Sequence, residues 1–385
     1  MKNMTVTFTR VNALIVAAAL SACGGGGGDS LFVPTAGTAA SAPPTAASGS
    51  TGGGGGAAGG GISTVSSGVP SQRSMSLSVE KYALNWGADG DTTTVTARVT
   101  DTAGNPVPNG TPVQFSTEGG QIQTSCALTG VIQGTTTISA CSVTFATQNL
   151  RPQDGLVTVL AWLEGQEAYI DVNGNGAYDA GEPFYDAGRI FRDDNSNGSY
   201  ESVIDELSVG GTVTSAPGLG SVACGVNVGT AAGSFTASSF GFLASNSSGF
   251  DLGTEPSSAA STCDGVWGRT LIRGSVVLPV SDPRNFFTVT AARDLEGRPF
   301  AIVSTDFSLG TRGVSRPTAA PTGTAVTVEG APANCTVTIS PPAVFSTAVG
   351  PTAHFLNAIG AGCSGGSVIV KAAFAGRESS VEVPL

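Results

Sequence analysis

One histidine serves the whole 385-residue chain, and charged residues make up only 12% of it. A hydrolase of the serine–histidine–aspartate kind needs an imidazole placed to take the nucleophile's proton. His354, between Ala353 and Phe355 on an expected strand, is the sole candidate. The letters of a nucleophile elbow occur once nearby, as Gly362-Cys-Ser-Gly-Gly366. That motif needs a helix after its serine and a histidine later in the chain, whereas residues 367–374 read as a strand and His354 precedes Ser364. With no Cys-x-x-Cys pair and one histidine there is no zinc ligand set. Basic residues are also few. If Lys2 and Arg10 leave with a signal peptide, 28 acidic residues face 15 basic ones, which argues against nucleic acid or an anionic membrane surface as partner. These absences point away from an enzyme.

What is present begins with an export signal. Lys2 and Arg10 give a positive start, and residues 11–20 form an apolar run too short to span a bilayer. Leu20-Ser-Ala-Cys23 follows, and it resembles the lipobox of bacterial lipoproteins. The resemblance implies cleavage after residue 22, a diacylglycerol on the Cys23 sulfur and acylation of the new amino group; several acyl chains anchor far better than one. Gly24 in place of Asp implies the outer membrane, with the cell surface the expected face. Residues 24–61 are almost wholly Gly, Ala, Ser, Thr and Pro, a composition that behaves as a flexible tether.

Beyond residue 73, Gly, Thr, Ser and Val dominate, and short alternating runs between turn signals point to an all-β chain of tandem β-sandwiches. Apart from Cys23 there are six cysteines: Cys126, Cys141, Cys224, Cys263, Cys335 and Cys363. An even count in an exported chain reads as disulfides, with fifteen possible pairings. Pairing nearest neighbours places one bridge in each module. Trp267, beside one of these bridges, reads as core packing.

The most informative stretch is Asp171-Val-Asn-Gly-Asn-Gly-Ala-Tyr-Asp-Ala-Gly-Glu182. A twelve-residue calcium loop supplies oxygens from positions 1, 3, 5, 7, 9 and 12, with Gly at 6 for the turn. Asp171, Asn173, Asn175, the Ala177 carbonyl, Asp179 and Glu182 fill those positions, with Gly176 at the turn. Asn-Gly and Asp clusters also make plain turns, but a turn gives no reason for Asp179 and Glu182. A looser second loop offers Asp193, Asn195, Asn197, Ser199 and Glu201, with Ile204 where the closing carboxylate should stand; Asp205 or Asp186 are the substitutes. Paired carboxylates suited to glycoside cleavage are densest here too, where a cation would occupy them. Residues 156–162 read as a strand, and Gly181, Pro183 and Gly188 break any helix after the first loop. The resemblance is to an EF-hand loop set in β structure, and calcium is the expected cofactor.

Residues 74–168 hold five expected strands. Asp89-Gly90, the turn Asp101-Thr-Ala-Gly-Asn-Pro-Val107, Val113-Gln-Phe-Ser116 and Gly119-Gly120 resemble the bacterial immunoglobulin-like domains of intimins and invasins. That resemblance implies a surface stalk or adhesive module. The expected plan is signal peptide 1–22, tether 23–73, immunoglobulin-like domain 74–168 and calcium loops 169–206. Residues 207–311 are a second β-rich domain or the completion of the first, with strands expected at 221–228, 234–242, 270–279 and 286–292. A linker, 312–323, precedes a small immunoglobulin-like sandwich, 324–385. The expected function is a calcium-rigidified adhesin or spacer, calcium setting the angle between the first module and the segment after Glu206. Its partner would be a host or neighbouring-cell protein or glycan. The alternative is a calcium-dependent carbohydrate-binding or surface-assembly subunit, using Tyr169, Tyr178, Tyr185 or Trp162 as an aromatic platform.

Overall fold

Alternation of β-branched and small polar residues turns into alternating burial. The computed structural model describes residues 67–152, 154–196, 198–200, 223–240, 242, 258–259, 262–284, 287–306 and 317–385. The signal, Cys23 and the tether as far as residue 66 lie outside them; residues 67–73, expected as tether, are instead packed on the first sandwich, where the buried Gln72 side chain bonds the Arg273 backbone. In the first sandwich, β1 (Ser76–Val79), β3 (Thr92–Val99), β5 (Gln121–Ile122), β7 (Thr129–Gln133) and β8 (Thr136–Ala146) form one sheet, ordered β1-β3-β8-β5 with β7 also on β8. The facing sheet holds β2 (Leu84–Asn85), β4 (Pro112–Thr117), β6 (Ser125–Ala127), β9 (Leu156–Gln166) and, far along the chain, β12 (Arg269–Ser281), in the order β2-β12-β9-β4-β6. Val95, Ala97, Val143 and Phe145 from one sheet meet Val113, Phe115, Val159, Leu163, Ile272 and Val276 from the other in a single core. The Cys126–Cys141 bridge joins β6 to β8 and so ties the two sheets together.

The strand that completes this sandwich comes after the acidic loops. β12 runs antiparallel to β9 in unbroken register from Arg269 opposite Gln166 to Pro279 opposite Leu156. Residues 167–268 are therefore an insertion between two neighbouring strands, a place where a hairpin usually needs two to five residues. Alternate residues of β9 and β12 face the core, while Leu156, Thr158, Leu160, Arg273, Ser275 and Val277 point the other way, yet they too are buried. The insertion covers that outer face: Thr158 Oγ1 donates to the Asp193 carbonyl at 2.6 Å, Arg192 to Ser116 Oγ at 3.1 Å and Arg273 to Ser258 Oγ at 2.6 Å.

Within this lobe, β10 (Phe184–Asp186) pairs with β11 (Gly225–Asn227), and Cys224 bonds Cys263. The strand expected at 234–242 is instead a short 3₁₀ turn, Ala237–Phe240. Phe240 and Phe242 both meet the Tyr185 ring edge-on, at 6.1 and 5.0 Å. With Ala168 and Ala187 they make a separate small core.

The second sandwich starts earlier than residue 324. One sheet has β13 (Thr288–Arg293), β14 (Pro299–Asp306), β15 (Pro317–Thr318), β17 (Thr336–Ser340) and β18 (Thr352–Ile359); the other has β16 (Ala325–Glu329), β19 (Ser367–Phe374) and β20 (Arg377–Pro384). Residues 207–311 are thus neither one domain nor a simple continuation: β12 belongs to the first sandwich, β13 and β14 to the second. The proline-rich stretch expected to be a linker places Ala319 and Ala320 in the second core. The sandwiches are joined directly, by Tyr82 N–H to the Ser346 carbonyl and Thr322 N–H to the Ala83 carbonyl, each 2.8 Å. The acidic loops are not at that joint; the segment after Glu206, whose angle they are expected to set, lies outside the described residues as far as residue 222. Both ends of the insertion lie in one sheet.

The Cys335–Cys363 bridge closes 28 residues of the second sandwich. Loop-closure entropy for that length gives a stabilisation of about 3.5 kcal/mol. Replacing both cysteines with alanine should lower the free energy of urea unfolding by about 2–4 kcal/mol, against a near-zero effect if the bridge is ornamental.

Candidate functional site

The first acidic loop closes a narrow hairpin. Ile170 N–H donates to the Pro183 carbonyl and Tyr185 N–H to the Ala168 carbonyl, so residues 171–182 are its turn. No helix flanks it. The Asp171 carboxylate sits inside the bend: Oδ1 accepts the N–H groups of Gly174 (2.7 Å) and Asn175 (3.1 Å), and Oδ2 that of Gly176 (2.6 Å). Gly174 and Gly176 hold φ of 74° and 80°, the left-handed backbone that glycine adopts without a steric penalty. At the far end Glu182, only 6% exposed, accepts Val172 N–H at 2.7 Å and Asp179 N–H at 3.0 Å. It fastens the start of the loop to its end.

Three of the expected ligands meet at one point. The amide nitrogens of Asn173 and Asn175 both donate to Asp179 Oδ2 at 2.6 Å. Two partial positive charges thus gather on one carboxylate oxygen at the centre of the loop. A half-turn of each amide exchanges donor for carbonyl acceptor, and the same three side chains then present oxygens to that point. Among the described residues no group of three or more His, Cys, Asp and Glu is placed to hold a metal ion. This donor set differs in kind, because two of its members are asparagines. All-oxygen donors of mixed charge fit a hard cation of the calcium type.

The second loop repeats part of this pattern. Asp193, 3% exposed, accepts Gly198 N–H at 2.6 Å on Oδ2, the contact Asp171 makes with Gly176, and Asn195 N–H at 3.3 Å on Oδ1. Its neighbour Asp194 is taken by Arg192 through two bonds, at 2.6 and 2.8 Å. Ser199 is described, while Asn197, Glu201 and the substitute Asp205 lie outside the described residues. Asp186, the other substitute, is turned away from this loop: its Oδ2 accepts Gly265 N–H at 2.6 Å.

The aromatic residues beside the first loop pack on one another. Tyr178, from the loop itself, stacks on Trp267 with ring centroids 4.5 Å apart, and Tyr169 meets both edge-on. The Trp267 indole donates to the Glu167 carbonyl at 3.0 Å. Tyr169 and Tyr185 are buried. These three tyrosines serve packing, while Trp162, on β9, is half-exposed. His354 is equally committed. Its Nδ1–H donates to the Pro341 carbonyl at 2.6 Å, which leaves Nε2 to accept from the Thr352 hydroxyl at 2.8 Å. Both ring nitrogens are used, so it is not a base for Ser364.

Sequence reasoning missed two carboxylates held by backbone N–H groups, one within the sheet and one at the neck of the insertion. Glu118 Oε2 accepts Thr158 N–H at 3.2 Å. Burial, then Asp154 and Asp194, push its pKa up to about 9. Glu167 holds the neck of the insertion. Neither sits in a motif, and both act through backbone N–H groups that only the tertiary fold brings near.

The class defined by these observations is an all-β protein of two sandwiches with a lobe inserted in the first. No family model matches the chain, and no curated protein matches it. Among solved structures, the adhesin InvE of Yersinia pseudotuberculosis is similar at 12% identity with a TM-score of 0.22, over 84% of this chain and 61% of that one. The chain thus spans about three fifths of that protein. A superposition at this level carries no argument about function.

Burial holds His354 below its ordinary value, against the pull of the Pro341 carbonyl. Its contribution to stability is therefore complete above the unfolded value of about 6.5 and is lost as pH falls below it toward the folded value. Urea unfolding of the wild type should show this loss as pH falls below about 7. His354→Gln should lack that component and cost about 1–2 kcal/mol at neutral pH through its broken hydrogen bonds. An identical pH slope in both would contradict the assignment.

Proposed function

We propose that the chain is a lipid-anchored surface protein, held to the outer membrane through Cys23, whose inserted lobe is an adhesive or contact surface kept in shape by calcium. The observation that carries this reading is the meeting of Asn173, Asn175 and Asp179 at one point within a loop whose two ends Glu182 ties together. Asp171, Asn173, Asn175, the Ala177 carbonyl, Asp179 and Glu182 would hold the ion, and the second loop, through Asp193, Asn195, Asn197, Ser199 and Glu201, would add a weaker site. About a hundred residues placed where a short hairpin suffices is a large elaboration on a rigid frame, the usual setting for recognition. The spacer role falls to the two sandwiches and their direct joint, and the partner would be a protein or glycan of another cell.

Calcium would act by mass action on the ordered loop. For extracellular sites of about 10⁻⁴–10⁻³ M affinity, 1 mM calcium contributes about 0.4–1.4 kcal/mol. That is enough to order a hairpin and too little to decide the fold of the sandwiches. Isothermal titration of the purified protein should give saturable heat with calcium, and Asp179→Ala should abolish the heat of the first loop with little change in the sandwiches' melting. The absence of heat, or undiminished binding by the variant, would contradict the reading.

A further inference from the structure

A cavity of about 390 Å³ opens between the neck of the insertion and the Cys224–Cys263 bridge, a size at which small molecules are held by a few convergent polar groups. Its lining carries charges of both signs: Glu167, Asp186 and Asp264, with Arg189 and Arg269. Glu167 and Asp186 are only 4% and 2% exposed. Each is held by backbone N–H groups and by no cation: Ala187 (2.8 Å) and Gly268 (3.1 Å) donate to Glu167, and Gly265 (2.6 Å) donates to Asp186. Among the described residues no ion pair joins any of these acids to either arginine. Arg273, within electrostatic reach of Glu167, is turned to the Leu271 carbonyl and Ser258 Oγ. The acids neighbour one another, since Asp186 and Asp264 both act on Glu167, and Asp264 acts on Asp186. The cavity therefore has an acidic pole that its arginines do not neutralise.

We propose that this cavity binds a small zwitterion of the amino-acid class, its ammonium group against Glu167, Asp186 and Asp264 and its carboxylate against Arg189 and Arg269. Buried charges in proteins are paired, and opposite charges that share a cavity without pairing leave both signs to be met by a ligand. A carboxylate has about four acceptor sites, of which the N–H groups on Glu167 use two, so room remains for an ammonium donor. Guanidinium groups offer a carboxylate a forked pair of donors. Burial and the neighbouring carboxylates oppose charge on Glu167 and Asp186, while the N–H groups favour it; an ammonium group adds to the favourable side. The three acids do not form a group placed to hold a metal ion, which favours a molecule long enough to touch both signs. One wall is pinned by the bridge: a Cβ on Gly188 would stand 2.8 and 2.9 Å from the sulfurs of Cys263 and Cys224. Such a preformed wall lowers the ordering cost of binding. The site uses none of the proposed calcium ligands.

The Trp267 indole donates to the Glu167 carbonyl and so reports on the cavity, with Trp86 in the first core and Trp162 on β9 as controls. Fluorine NMR of the full-length, fluorotryptophan-labelled protein in EDTA tests the site. The probes are glycine, 4-aminobutyrate and 6-aminohexanoate, zwitterions of increasing charge separation, each titrated to about 20 mM. At least one should shift the Trp267 resonance saturably and leave Trp86 and Trp162 fixed. Its N-acetyl and methyl ester derivatives, each lacking one charge, should bind about tenfold more weakly. Arg269→Gln and Asp264→Asn, both at exposed positions, should each weaken the zwitterion about threefold. Arg269→Gln should not affect the ester, nor Asp264→Asn the N-acetyl derivative. No Trp267 shift with any of the three probes overturns the proposal. So does a capped derivative that binds as tightly as its parent, or a zwitterion held equally by the wild type and both variants.

Discussion

The architecture depends on the backbone ladder between β9 and β12. These strands are separated by about a hundred residues of chain, yet they pair without a break from Gln166 and Arg269 to Leu156 and Pro279. Closing so long a loop costs chain entropy that grows only slowly with length. The cost is met by a core that needs β12: Ile272, Val276, Leu278 and Val280 fill the side of the first sandwich that β9 alone leaves open. The ladder makes the acidic hairpin a branch from one sandwich instead of a joint between two.

That placement separates two tasks a string-of-modules view would merge. The sandwiches are linked along the chain by direct contacts, where Tyr82 and Ala83 bond to Ser346 and Thr322. Shape at the side comes from the lobe, whose small core around Tyr185 is distinct from those of the sandwiches. Among its described residues the lobe's own core is small, and it is held by what it touches: the outer face of β9 and β12, the Cys224–Cys263 bridge and the neck at Glu167. Such regions sit at the low end of a protein's local stability, where ligands and protons have most leverage.

Much of the β architecture was legible because a half-buried strand writes its period into the sequence. β3 alternates from Thr93 to Val99, and its burial alternates with it. β12 was legible as a strand, but its partner was not, because nothing local distinguishes a strand that returns to β9 from one that opens a new domain. β14 went unread: it begins at Pro299, directly behind the turn that Asp294 and Gly297 make. The 3₁₀ turn at Ala237–Phe240 was misread because two phenylalanines two residues apart look like one face of a strand. At the site, the letters of the first loop were legible since each ligand position is fixed by spacing. Glu118 and Glu167 were not, since their partners are backbone N–H groups from elsewhere in the chain. The nearest-neighbour cysteine pairing is the one found, each bridge joining segments of one local unit.

Backbone hydrogen exchange compared in calcium and in chelator tests the central claim most directly, because it reads frame and lobe in one experiment. The account predicts that the amides of Val172, Gly174 and Gly176, which donate to Glu182 and Asp171, lose protection in chelator while the β9 and β12 amides keep theirs. Equal exchange of the loop in both conditions, or loss of protection along β9 and β12 with the loop, would contradict it.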